Sequence, residues 1–370
     1  MRKPWSLLAA ALLLAVFAAA CEGPIGPAGP SGPAGPTGSA GANGANGPAG
    51  PAGPAGKNGA DANQTCTQCH AGNVVLYGKQ LQYASSQHAM GGNFTRNTTT
   101  CAVCHTHQGF LERLPTNAQA TAATIVDPVP QNCRTCHQIH KTFTSADFAL
   151  TATTPFALWV GGATIDLGAQ AGNLCARCHQ MRTLTPVPTL GGPAVTLTST
   201  RYGWHYSPVA NVMTANGAYK FTGPATIPTV THVHGDKSFN PGICATCHMA
   251  SAVGVDRGGH TLKMFSVSTT GAVSQNIAGC VECHKTVTSF NHFGLRADVD
   301  KLLDDVDNEL IRIGIKTAGN HYVKPGTYKA DVVAGFLNWY LFEEDKSHGI
   351  HNPPYARAVL TNTLAKMKTY

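Results

Sequence analysis

Cys66-Thr67-Gln68-Cys69-His70 is the first of six copies of one pattern, and the pattern decides how the rest of the chain is read. The others are Cys101-Ala102-Val103-Cys104-His105, Cys133-Arg134-Thr135-Cys136-His137, Cys175-Ala176-Arg177-Cys178-His179, Cys244-Ala245-Thr246-Cys247-His248 and Cys280-Val281-Glu282-Cys283-His284. Cys-x-x-Cys-His is the attachment signature of haem c. Two thiols two residues apart add across the two vinyl groups, and the next residue then sits under the iron as its proximal ligand. Zinc sites also use Cys-x-x-Cys, but zinc gives no reason for a His after every second Cys. A disulfide framework gives none either, and a bridge across two residues closes a strained small ring. The expected cofactor is therefore six covalently bound haem c groups, held by twelve Cys and by His70, His105, His137, His179, His248 and His284.

Working outward, the 370 residues include 13 Cys, 17 His, 40 Gly and 23 Pro, with only 12% charged residues. That balance is far from an ordinary cytosolic α/β enzyme. A net charge of +7 with no basic cluster beyond the N-terminus excludes a nucleic-acid footprint. Between motifs the chain is rich in Gly, Pro, Thr and Ser, so the expected fold is mainly α and irregular, organised by haem rather than by sheets. Residues 65–295 form the haem-binding region and 296–370 a C-terminal helical region. There Val299, Leu302, Leu303, Val306, Leu310 and Ile313 keep helical spacing over 297–314, with acids opposite. A second helix is expected over 328–344 and a third from Pro353, with Asn352 as N-cap. Their apolar faces would meet haems or each other, a dimer contact being the sharper alternative. Residues 186–200 and 262–275, rich in Thr and Val, read as short hairpins.

The N-terminus reads as an address and a spacer. Arg2 and Lys3 precede an apolar run ending at Ala20, an export signal over residues 1–20. Cys21 stands where lipoprotein processing needs it, and it is the one Cys outside the motifs. Residues 21–64 then join this lipid-anchor Cys to a stalk in which Gly occupies every third position from Gly23 to Gly59. Only collagen-like sequence keeps that period, because Gly alone fits where three polyproline-II chains share an axis. A homotrimeric stalk and a monomeric low-complexity spacer are both open readings. Either would give a reach on the order of 120 Å.

What each haem does turns on its sixth ligand: a second His makes an iron that only passes electrons, and an empty position makes a substrate site. Several stretches carry a resemblance. His234-Gly235-Asp236-Lys237 before the Cys244 motif, Gly258-Gly259-His260 after it, and Asp345-Lys346-Ser347-His348-Gly349-Ile350-His351-Asn352-Pro353 near the end are similar to the ammonia-forming cytochrome c nitrite reductases and their multihaem relatives. Ser86-Gln87-His88-Ala89, Gln138-Ile139-His140 and Gly203-Trp204-His205-Tyr206-Ser207-Pro208 resemble segments of exported hexahaem electron-transfer cytochromes of that superfamily. The resemblance implies distal roles for His88, His140, His205, His234, His260 and His351. It leaves His107, His232, His292, His321 and His348 as surface or supporting groups, His232 being the main rival of His234.

The departure is that the nitrite reductases bind substrate at a haem whose motif ends in Lys, and here all six end in His. Hydroxylamine-oxidising relatives keep His there, with an open iron and a Tyr contact, for which Tyr202 and Tyr206 are the local candidates. The leading expectation is an exported hexahaem cytochrome without catalysis of its own. It would sit at the cell surface or outer membrane, or otherwise in the periplasm. It would relay electrons from a membrane-side cytochrome donor to an external acceptor, as in extracellular electron transfer. The alternative is a periplasmic reductase or oxidase of small nitrogen or sulfur species with one five-coordinate haem. A filament in which one chain lends a distal His to the next is a variant of the first.

Overall fold

The computed structural model describes residues 74–91 and 95–370. The chain divides into two units, Met1–Asn58 and Gly59–Tyr370. The export signal, Cys21, the Gly-x-y stalk and the first motif, Cys66, Cys69 and His70, lie outside the described residues. The second unit contains both the motif-bearing stretch and the C-terminal helices.

Short helices carry most of the motifs. Helix α1 (Val74–Ala84) is followed by α2 (Thr99–His105), α3 (His107–Arg113), α4 (Cys133–Cys136), α5 (Asn173–Cys178), α6 (Val209–Met213) and α7 (Cys244–His248). A single helical turn puts positions i, i+3 and i+4 on one face, so both Cys and the His of a motif point the same way. The closing bond is visible in the backbone: the N–H of His137 donates to Cys133 O at 2.8 Å, that of His179 to Cys175 O at 3.0 Å and that of His284 to Cys280 O at 2.8 Å. Gly109 lets α2 and α3 fold onto each other, since a Cβ there would meet Ala102 O at 2.4 Å. None of the ten described cysteines is in a disulfide.

Strands are few. β1 (Phe156–Ala157) pairs antiparallel with β2 (Thr164–Ile165), β3 (Val195–Leu197) stands further on, and β4 (Phe265–Val267) pairs with β5 (Val273–Gln275) as the hairpin expected within 262–275. The expectation for 186–200 is corrected. β3 pairs with β6 (Gly326–Tyr328), Val195 opposite Tyr328, and makes no local hairpin. Alternating Val and Thr specify a strand but not its partner, and here the partner lies far along the chain.

The main core is built by three long helices, α8 (Leu295–Ile313), α9 (Ala330–Asp345) and α10 (Pro353–Met367). In α8 the buried residues are Val299, Leu303, Val306 and Leu310, one stripe of the amphipathic pattern. Helix α9 is apolar nearly all round and accordingly buried nearly all round. The three pack on one another and on Trp204, Met181, Val212 and Phe221 from the motif-bearing stretch. Asn338, fully buried in α9, accepts from Tyr219 N at 2.7 Å and donates to Tyr219 O at 2.8 Å and Thr363 Oγ1 at 2.9 Å. These bonds satisfy an amide that would otherwise be costly to bury. Asn352 caps α10 by accepting from Tyr355 N at 3.3 Å, while its amide donates to Val212 O and Met213 O at 3.1 and 3.2 Å. The residue before it, His351, is thus tied to the motif-bearing stretch. No helix among the described residues is long and apolar enough to cross a membrane.

Candidate haem-binding site

Every described motif His has one of the nominated distal imidazoles opposite it. Ring centroids are 5.9 Å apart for His179 and His88, 5.9 Å for His105 and His205, and 6.4 Å for His137 and His260. They are 6.4 Å apart for His248 and His351 and 6.0 Å for His284 and His234. A metal–imidazole bond of about 2.0 Å, with the ligating nitrogen about 1.1 Å from its ring centre, puts two rings on opposite sides of one metal about 6.2 Å apart. The spacing therefore matches two imidazoles sharing one ion. Among the described residues no group of three or more His, Cys, Asp and Glu could hold a bare metal ion, so the pairs stand as pairs.

The geometry also separates rivals. His292 lies 4.9 Å from His284, too close for a metal between the rings, whereas His234 stands at 6.0 Å. His232 meets His234 edge to face at 4.8 Å. His348 has both ring nitrogens engaged, Nδ1 with Asp300 and Nε2 with Arg296. His321 spends Nε2 on Glu344 at 2.5 Å, and His107 bonds Thr135 Oγ1 at 3.0 Å. His140, the remaining nominated distal residue, stacks on Phe143 at 5.6 Å.

Chemistry agrees with the spacing. Burial holds the rings of His88, His205, His234, His248 and His260 below the usual imidazole range, His105 down to about 4 and His179 to about 3. The neutral, ligating form is therefore the resident one at neutral pH. One nitrogen is fixed by a hydrogen bond in several rings. His137 Nδ1 meets Phe148 O at 2.6 Å, His234 Nδ1 meets Ile350 O at 2.7 Å and His248 Nδ1 meets Leu262 O at 3.1 Å. A donor Nδ1–H leaves Nε2 as the ligating atom and fixes the plane of the ring. His351 differs, because its Nδ1 faces a carboxylate, Asp345 Oδ1, at 2.7 Å, and the Asp345 side chain is fully buried.

The motif sulfurs converge. Cys104 lies beside Cys178, Cys175 beside Cys244 and Cys247 beside Cys280, so close that each thiol shifts its neighbour's ionisation. Cys136, pushed up to about 12 by burial, feels both Cys175 and Cys178. The fourth motif thus adjoins the second, third and fifth, and the fifth adjoins the sixth. Tyr202 is turned away, its hydroxyl donating to Pro186 O at 2.7 Å, while Tyr206 keeps its ring 5.8 Å from His205.

Two kinds of residue escaped the sequence reading. The carboxylate on His351 sits within a stretch already singled out, six residues before the ring it holds. Arg113 and Arg177, both buried and lacking an acidic partner among the described residues, carried no local signal beyond Arg177's place inside a motif.

Residues 19–67 match the collagen triple helix repeat family. No curated protein matches the chain. Among solved structures, the chain is similar to the outer cell wall cytochrome OcwA, with 16% identity and a TM-score of 0.46 over 78% of this chain. It spans half the length of that protein.

Proposed function

We propose that the chain is an exported hexahaem c-type cytochrome whose irons are each held between two imidazoles and which relays electrons between a membrane-side redox protein and an external acceptor. The observation that carries this reading is the pairing of each described motif His with one nominated distal His at the separation one shared iron requires. Six motifs supply the attachment Cys, and the rings of His88, His140, His205, His234, His260 and His351 supply the second face. Haem c held this way contributes one-electron transfer at an iron with no free coordination position. The polypeptide's part is to keep the imidazoles neutral by burial, to fix ring planes through backbone carbonyls and to bring neighbouring attachment sites into contact. Cys21 as a lipid anchor and the Gly-x-y stretch as a trimeric stalk would hold this unit away from a surface.

A pyridine haemochrome assay on the purified protein tests the count, with six haems per chain expected. Low-temperature EPR of the oxidised protein tests the ligation. Low-spin signals alone are expected, and a high-spin signal integrating to one haem overturns the relay in favour of a reductase or oxidase of small nitrogen or sulfur species.

A further inference from the structure

Two arginines lie at the point where three attachment sites meet. Arg177 is the residue before Cys178 within the fourth motif and is 5% exposed, and Arg113, at the end of α3, is 1% exposed. Arg113 Nη2 donates to the carbonyl of Arg177 and lies 3.9 Å from Cys178 Sγ. Its guanidinium is sandwiched by Phe110 and Trp159, at 5.5 and 4.7 Å from their ring centroids, and that of Arg177 lies 4.4 Å from the Phe156 ring. Arg113 Nε and Nη1 and Arg177 Nε have no hydrogen-bond partner, and neither side chain forms an ion pair among the described residues. Arg177 otherwise reaches only the neutral Asn117 and Thr154. Guanidinium stays charged at any workable pH. Two buried positive charges without counter-charge are expensive to keep, and structure alone gives no reason to keep them.

Their position supplies one. Arg113 lies beside Cys178 and near Cys104, and Cys136 of a third motif lies beside Cys178. Haem c held by Cys175 and Cys178 would be bonded through the sulfur that Arg113 Nη2 approaches. We propose that Arg113 and Arg177 raise the reduction potential of the haem on Cys175 and Cys178 above those of its neighbours, making the fourth site the electron sink and junction of the relay. This rests on the haem loading proposed above. A ferric bis-imidazole haem core carries one net positive charge and the ferrous core none, so adding one electron there removes a repulsion with both arginines. That electron comes from a neighbouring ferrous haem, which becomes ferric, and no proton moves.

Spectroelectrochemical titration of the full-length holoprotein tests this, with dithionite as reductant. In Arg113→Gln, one haem's share of the absorbance change should shift to lower potential by at least tenfold in its ferrous-to-ferric ratio, about 60 mV for a one-electron couple. Arg113→Lys, titrated at about pH 5 so that the buried amine stays protonated, keeps the charge without the fork and should leave the curve in place. Equal shifts in both variants, or no shift in either with six haems present, overturn the proposal. In the wild-type protein, paramagnetic NMR during stepwise oxidation should find the haem on Cys175 and Cys178 oxidised last. Its oxidation before any neighbour overturns the proposal whatever the variants do. A wild-type protein without haem sinks the relay reading itself, a result separate from these.

Discussion

Replacing Asn352 by Ala should loosen His351 and cost the protein stability together. Asn352 is fully buried, caps α10 through Tyr355 N and ties that helix to the carbonyls of Val212 and Met213. Losing an N-cap costs about 1 kcal/mol. The Val212 carbonyl still accepts from Ala215 N at 3.1 Å, but the Met213 carbonyl is left buried without that donor. One unsatisfied buried group costs about 1–3 kcal/mol, which makes the whole about 2–4 kcal/mol. Guanidinium unfolding of the full-length holoprotein, followed by far-UV circular dichroism, measures it. Asn352→Ser keeps a capping oxygen and loses the tether, so it should fall short of the Ala variant by about 1 kcal/mol. The second readout is carbon monoxide binding by the reduced protein, which should rise from none to one haem in Asn352→Ala as His351 leaves its position. A loss below about 0.5 kcal/mol, the range of an ordinary surface substitution, together with an unchanged carbon monoxide response, would refute the reasoning.

Asp345→Asn removes the carboxylate from His351 Nδ1 and so a charge-assisted bond of about 1.5–3 kcal/mol. The haem on Cys244 and Cys247 should become easier to reduce by roughly tenfold or more, read by potentiometric titration, because the distal ring loses electron-donating character. Asp166 is held down to about 2 by the hydrogen bonds from Lys237, then Asn173 and the Gly168 N–H. Its folded pKa lies below the unfolded value of 3.8, so its contribution is complete above pH 3.8 and is lost as the pH falls toward 2. Asp166→Asn should lower stability at neutral pH, where that contribution is complete, and flatten the acid limb, the two proteins converging as the pH falls toward 2. For the Gly-x-y stretch, sedimentation of the whole chain beside one beginning at Asp61 should give three protomers against one, and equal protomer numbers remove the trimer.

What could be read from sequence was local. A Cys-x-x-Cys-His turn closes on itself, so its residues are recognisable without knowing the fold. The stripe from Val299 to Leu310 in α8 likewise declares its buried face by spacing alone. Pairings across the chain were not legible in that way. Nothing in Val195-Thr196-Leu197 names Gly326-Thr327-Tyr328 as its partner, because a strand pattern fixes faces and not neighbours. The distal rings were nominated by resemblance, yet which motif each would face emerged only from the folded chain. His234 and His232 differ by two positions in sequence, and only the 6.0 Å spacing to His284 distinguishes them. Arg113 and Arg177 were invisible for a related reason, since burial without a counter-ion is a property of the surroundings.

The ring pairs also bear on how the molecule comes apart. His105 and His205, His137 and His260, His179 and His88, and His248 and His351 each join positions on the order of 100 residues apart. Once iron spans them, each pair acts as a staple, and a crosslink closing a loop of that length removes about 4–5 kcal/mol of denatured-chain entropy. The loops overlap, so a protease that nicks one surface segment frees no fragment. The cut polypeptide should migrate as one coloured band until strong acid or a competing ligand releases the imidazoles.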